Sequence, residues 1–143
     1  MGFLSGMDIS ASGLNAQRLR MDVISENIAN IDTTRTEDGT PYTRKYVVLE
    51  ERGSNFSDIM RSKTDEVQGG VRVAEIGLDT TDYDLVYDPA HPDANEEGYV
   101  QMPNVDLSQE IVNMISAYRS YEANVTAFNA YKDMAVKSLE IGS

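Results

Sequence analysis

The sequence predicts an α+β fold, mainly α, in which long N- and C-terminal helices pair as an antiparallel coiled coil around a small β-rich insertion. Apolar side chains recur on alternating three- and four-residue steps at both ends of the 143-residue chain. Between them lie short runs of β-forming residues punctuated by Gly, Pro and Asp turns. The C-terminal rhythm holds for four heptads, which argues for a coiled-coil partner rather than a short globular helix.

The first helix is expected over residues 8–31. Met7, Leu14, Met21, Ile24, Ile28 and Ile31 keep the spacing, with Ser10 and Gln17 filling the missing places. That is a narrow a/d seam, not the broad stripe of a core-facing helix. The second helix is expected over residues 106–141. Leu107, Ile111, Met114, Tyr118, Tyr121, Val125, Phe128, Lys132, Ala135 and Leu139 form its seam, and Lys132 is the only charged member. Pro103 precedes this helix and Asp106 suits the N-cap. Gln109 stands three residues on, as in a capping box, and Gly142 suits the C′ position. At 1.5 Å per residue the helix would span ~54 Å, long for a small globular domain.

Residues 35–103 form the insertion. Strands are expected at 42–49, 71–73, 83–87 and 99–102, with turns at Gly69-Gly70, Asp88-Pro89, His91-Pro92-Asp93 and Glu97-Gly98. The polar stretch at about 52–68 is expected to be a mobile loop. Residues 1–34 and 104–143 then make one discontinuous helical domain, interrupted by the insertion.

Charge narrows the partners. There are 24 acidic and 12 basic residues, a net charge of −12. Affinity for nucleic acid comes chiefly from Lys and Arg neutralising phosphates. The densest basic cluster here is Arg44-Lys45, with Glu50 and Glu51 close behind. Nucleic acid and anionic membrane surfaces are therefore not expected as partners. No stretch approaches the ~20 apolar residues that cross a bilayer, so direct membrane insertion is not expected either. The amino terminus lacks the basic region and apolar core of a secretory signal, so an exported chain would need another route. With no cysteine, disulfides, thiolate catalysis and cysteine zinc sites are excluded.

Nothing in the chain reads as catalytic. His91, the one histidine, sits between Ala90 and Pro92 and reads as a turn residue rather than a general base. Residues 93–98 begin like an EF-hand loop, but the twelfth position is Asn104 where a bidentate Glu belongs, so the run reads as an acidic turn. Adjacent carboxylates such as Glu50-Glu51, Asp65-Glu66 and Glu96-Glu97 do not face each other and read as solvated surface. Gly69-Gly70 is a turn signal, not a phosphate loop. No enzymatic activity, cofactor or metal is expected.

The helix faces outside the seam point to association. On the second helix they carry Ala117, Ser120, Ala123, Asn124, Ala127, Asn129 and Ala130, and on the first Ser12, Ala16, Ser25, Asn27, Ala29 and Asn30. Such small and amide side chains let other helices approach closely, and Ile115 and Met134 lie off the seam. The residues expected to carry assembly are Leu14, Met21, Ile24, Asn27, Ile28, Asn30 and Ile31, with Leu107, Ile111, Met114, Tyr118, Tyr121, Val125, Phe128 and Leu139. Asn27 and Asn30 admit two readings: bonds to neighbouring subunits, or local capping of the first helix's C-terminus.

The run SENIANIDTT at 25–34 resembles the signature of the flagellar basal-body rod and hook protein family, an Asn-aliphatic-Ala-Asn core with Thr residues shortly after. GTPYTRK at 39–45 is similar to the G-x-P-Y-x-R-K run of proximal rod members of that family. YDPAHPDA at 87–94 with GYV at 98–100, and MPNVD at 102–106 leading into the last helix, follow in family order. Ile31-Asp32 departs from the Ala-Asn common after the core motif, and 52–68 matches nothing in the family.

The resemblance implies a structural subunit of the proximal rod. Such a subunit is exported largely unfolded through the flagellar type III apparatus, without a cleaved signal peptide. It assembles helically into the periplasm-spanning drive shaft, with its terminal helices inside and β structure outside. The implied partners are other copies of itself, the rod proteins FlgB and FlgF, a FliE-like adaptor and the type III export machinery. Long helices and acidic charge also suit a cytoplasmic coiled-coil adaptor or export chaperone, which the β-type block at 83–100 fits poorly. A small hydrolase or calcium-binding module using Asp93, Asn95 and Glu97 is a third reading.

Overall fold

A computed structural model describes residues 2–53 and 69–141. The loop expected at about 52–68 lies almost wholly outside them, as does Gly142. In chain order the elements are α1 (Gly2–Ala29), β1 (Lys45–Glu51), β2 (Val71–Leu78), β3 (Asp84–Tyr87), β4 (Tyr99–Met102) and α2 (Leu107–Ile141). The expected architecture is present: two long helices packed together, with a small β insertion between them in sequence.

The helices run antiparallel. Gly6 meets Tyr131 and Gly13 meets Asn124, while Asn27 bonds Glu110 at the other end. α1 is helical from Gly2, ahead of the expected start. Glycines are poor helix formers, but Gly6 and Gly13 allow α2 to come close. A Cβ at Gly6 would stand 2.6 Å from the Tyr131 ring, and one at Gly13 2.8 Å from the Asn124 amide oxygen. Packing outweighs propensity there. α1 ends where the Asn30 N–H donates to the Glu26 carbonyl at 3.1 Å and the Thr33 N–H to that of Asn30 at 3.0 Å.

α2 starts as its sequence indicates. Asp106 Oδ1 accepts the backbone N–H of Ser108 at 2.8 Å and of Gln109 at 3.3 Å, satisfying donors that a helix N-terminus leaves open. The return half of the capping box is replaced, because Gln109 reaches forward to Asn113 at 3.4 Å.

The strands form two antiparallel hairpins, β1–β2 and β3–β4. β2 runs to Leu78, well past the expected 71–73. Its Ala74, Glu75 and Gly77 are weak strand formers, yet 75–78 pair with 45–48 of β1 across a register shift at Val48/Leu49. β1 begins only at Lys45, because Tyr42 and Arg44 turn inward to other partners.

α1 packs against both α2 and the β1–β2 hairpin, whereas among the described elements α2 packs against α1 alone. The apolar core comprises Ala16, Val23 and Ile24 of α1, Ala117 of α2, and Tyr42, Val100 and Val105 of the connecting chain. Away from this junction the pair is thin: Glu110 and Ala117 are the only buried residues of the 35-residue α2.

Candidate functional site

Two features bear on function: a buried polar knot at the root of the insertion, and an uncovered flank of α2.

The loop before β1 sets up the knot. Gly39, with φ +77°, lets the chain reverse, and the Thr36 N–H donates to the Thr40 carbonyl at 2.8 Å. The Tyr42 N–H then donates to the Thr33 carbonyl at 3.1 Å, which brings Tyr42, Arg44 and Lys45 against the end of α1.

Asn27 is fully buried there, with every hydrogen-bonding position used. Its Nδ2 donates to the Lys45 carbonyl at 2.8 Å and to Glu110 Oε2 at 3.0 Å. Its Oδ1 accepts the Tyr42 hydroxyl at 2.9 Å and the Lys45 N–H at 2.9 Å.

Glu110 is also fully buried. Its Oε1 accepts Arg44 Nε at 2.9 Å and pairs with Arg44 Nη2 at 2.8 Å. Arg44 Nη1 meets Asp79 Oδ2 at 3.2 Å, and its backbone N–H donates to Asn104 Oδ1 at 2.9 Å. Asn104 Nδ2 in turn donates to the carbonyls of Asp79 and Thr81, at 3.3 and 3.0 Å.

Titration follows from these contacts. Burial pushes the Tyr42 phenol up to about 12, helped by the charges of Glu26 and Glu110. Burial alone would lower the Arg44 pKa, but its hydrogen bonds and charge pairing with Glu110 and Asp79 hold it above the ordinary value. Side-chain and backbone bonds from Thr81 lower the Asp79 pKa, and Arg44 adds to the effect.

The expected assembly residues fall into three settings. Ile24 is buried, while Leu14, Met21 and Ile28 of α1 and Met114, Tyr121 and Phe128 of α2 are half-buried along the helix pair. Val125 and Ile31 are half-buried as well. Leu107, Ile111 and Tyr118 are exposed at 46%, 46% and 55%, and Leu139 at 75%. The intramolecular seam of α2 thus runs through Glu110, Met114, Ala117, Tyr121, Asn124, Phe128, Tyr131 and Ala135, rotated from the one read from apolar spacing. Asn30 stays local, donating to the Glu26 carbonyl at 2.9 Å and accepting the Thr33 hydroxyl at 3.1 Å.

That rotation leaves a flank. Leu107, Ile111, Ile115 and Tyr118 lie on one side of α2 by helical phase, each roughly half in water. Val112 beside them is 59% exposed.

Sequence reasoning missed Tyr42, Arg44, Asn104 and Glu110. Tyr42 and Arg44 lie inside GTPYTRK and Asn104 inside MPNVD, so the motifs pointed near the knot without showing what those residues touch. His91 Nδ1 accepts the Asp93 N–H at 3.1 Å. The EF-hand-like run is engaged within the protein: Asp93 Oδ2 accepts the hydroxyl of the distant Thr34 at 2.8 Å, Asp93 Oδ1 pairs with Arg35 at 3.7 Å, and Asn95 Oδ1 accepts the N–H groups of Glu97 and Tyr99. Among the described residues no helix is long and apolar enough to cross a membrane.

Two family models match. Residues 7–35 match that of the flagella basal body rod protein, and residues 96–141 that of the flagellar basal body rod FlgEFG protein C-terminal. The chain belongs to the flagellar basal-body rod protein family, a structural family. Within it, the chain is 52% identical to the flagellar basal-body rod protein FlgC of Bacillus subtilis, over 95% of each chain. It is 46% identical to the FlgC of Borreliella burgdorferi, over 99% of this chain and 98% of that one. Its identity to the FlgC of Escherichia coli O6:H1 is 40%, over 99% of both.

Proposed function

We propose that this chain is a non-catalytic structural subunit of the flagellar basal-body rod, and that the Leu107, Ile111, Ile115 and Tyr118 flank of α2 packs against helices of neighbouring subunits. The observation that carries the reading is that, among the described elements, α2 packs against α1 alone while this flank stays about half in water. Full burial of such side chains is worth about 1.5–3 kcal/mol each, and a second helix would supply roughly half of that, since each is already about half covered. Likeness to named rod proteins along nearly the whole length supports the same reading.

In this reading the helix pair, residues 1–34 with 104–143, is the assembling domain, and the insertion at 35–103 faces outward. The partners are further copies of this chain, rod proteins such as FlgB and FlgF, and a FliE-like adaptor. The chain reaches the periplasmic rod through the flagellar type III apparatus, without a cleaved signal peptide.

Ile111→Asp and Tyr118→Asp test the flank. Both positions are exposed, so the isolated protein should keep its helicity and unfold within ~0.5 kcal/mol of the parent. In cells, purified basal bodies should lack the variant chain and motility should be lost, because a carboxylate buried between subunits is left unpaired. Normally motile cells carrying both substitutions would sink the proposal.

A further inference from the structure

The β3–β4 hairpin presents a second uncovered surface, unrelated to the α2 flank. Tyr87 pairs with Tyr99 and Leu85 with Gln101, so these four share one face, while Val86 and Val100 share the other. Val100 is 2% exposed and marks the inward side. On the outward side Leu85, Tyr87 and Tyr99 are exposed at 63%, 64% and 40%. The two rings meet edge to face, with centroids 5.3 Å apart. Adjoining strands therefore hold three large apolar side chains in water as one patch.

The rim of that patch is mainly acidic, with Arg35, paired to Asp93 at 3.7 Å, as a cation beside Tyr99 and Gln101. Asp82, Asp88, Glu96 and Glu97 are exposed in the loops around it. Residues 73–118 hold 10 of the 24 carboxylates and none of the 12 Lys and Arg residues. Three of the ten, Glu110, Asp79 and Asp93, pair with Arg44 or Arg35, and the other seven add their charge to the segment that carries the patch.

We propose that this face docks a basic polypeptide surface, one presenting apolar side chains among Arg and Lys. The apolar groups cover Leu85, Tyr87 and Tyr99, and the cations meet the rim. Arginine suits the role best, since its guanidinium both pairs with carboxylates and stacks on phenol rings. The same face of a second copy is a poor occupant, because two acidic rims would be brought together. The inference does not depend on the rod reading, and the solution measurement below can fail while that reading stands.

The test uses the full chain and two 12-residue peptides of equal charge, Arg alternating with Leu and Arg alternating with Ser, titrated by calorimetry. The Arg–Leu peptide should bind about ten-fold more tightly, a gap of about 1.4 kcal/mol. Leu85→Thr with Tyr87→Thr, which keeps good strand formers on an exposed face, should erase the gap. Glu96→Gln with Glu97→Gln should weaken both peptides and flatten their salt dependence. Circular dichroism matching the parent qualifies each variant. Equal affinity for the two peptides would reduce the effect to bulk charge and overturn the proposal. So would a gap that survives the threonine changes, equally tight binding of a Glu–Leu peptide, or self-association of the chain through these residues.

Discussion

Asn27 Nδ2 lies 3.0 Å from Glu110 Oε2, and neither side chain is exposed to water. The same nitrogen donates to the Lys45 carbonyl at 2.8 Å. One amide therefore ties the end of α1, the start of α2 and the first strand of the insertion. A buried polar layer of this kind sets register and orientation more than net stability, since only one alignment satisfies all its bonds.

Asn27→Ala should cost about 2–4 kcal/mol in urea denaturation, because the Lys45 amide, the Tyr42 hydroxyl and Glu110 each lose a partner away from water. Asn27→Asp should cost more at pH 7, where it sets a second carboxylate against Glu110. An Asn27→Asp protein as stable as the parent at pH 7 would contradict the knot.

The Arg44–Glu110 pair predicts strong coupling. Glu110→Ala leaves Arg44 with Asp79 as its remaining ionic partner, and Arg44→Ala leaves a fully buried carboxylate without its cation. Each should cost about 3–5 kcal/mol. Removing both should cost less than the sum by roughly 2 kcal/mol, because neither charge is then stranded. A double-mutant cycle read by chemical denaturation measures this, and additive losses would show that the pair contributes nothing as a pair.

The sequence made the helices legible, along with the small insertion and the positions of β3 and β4, because apolar spacing and turn residues act locally. The face of α2 that meets α1 was half legible. Met114, Tyr121 and Phe128 lie in the seam as their spacing says. Between them the contact runs through Glu110, Ala117 and Asn124, which an apolar count passes over. On the α1 side the close approach comes from Gly6 and Gly13, residues that read as helix weakeners. The knot was not legible, because Arg44 and Glu110 stand 66 positions apart. Only the folded chain shows that a residue in the one basic cluster neutralises a buried acid. Asn27 stood out from sequence as one of two amides, and its setting resolves towards bonds within the chain.

Tyr42 gives the knot an alkaline limit. Its hydroxyl donates to Asn27 Oδ1 at 2.9 Å, and burial with nearby carboxylates raises its pKa from 10.0 to about 12. A raised folded pKa means that the stability held by the protonated phenol is complete below pH 10. It is then lost as pH rises through about 12. Urea midpoints should therefore fall between those values. Tyr42→Phe should start about 1 kcal/mol lower at pH 7 and fall less steeply there. Parallel alkaline slopes for the two proteins would exclude Tyr42 as the group responsible.

Gly6 and Tyr131 govern how closely the far end of the helix pair closes. Replacing a helical glycine by alanine ordinarily stabilises by about 1 kcal/mol. At Gly6 the added Cβ would sit 2.6 Å from two carbons of the Tyr131 ring, inside contact distance, so ring or helix must move. Overpacking of this kind costs about 1–3 kcal/mol, and Gly6→Ala should be destabilising on balance. Gly13→Ala should be milder. Its nearest neighbours are the amide atoms of Asn124, which can swing aside by giving up one 2.8 Å bond to the Ser120 carbonyl. Combining Gly6→Ala with Tyr131→Ala should cost less than the two changes separately, since the collision is then gone. Thermal melts of the four proteins decide the matter: a Gly6→Ala protein that melts above the parent would mean the helices stand farther apart than their contacts here require.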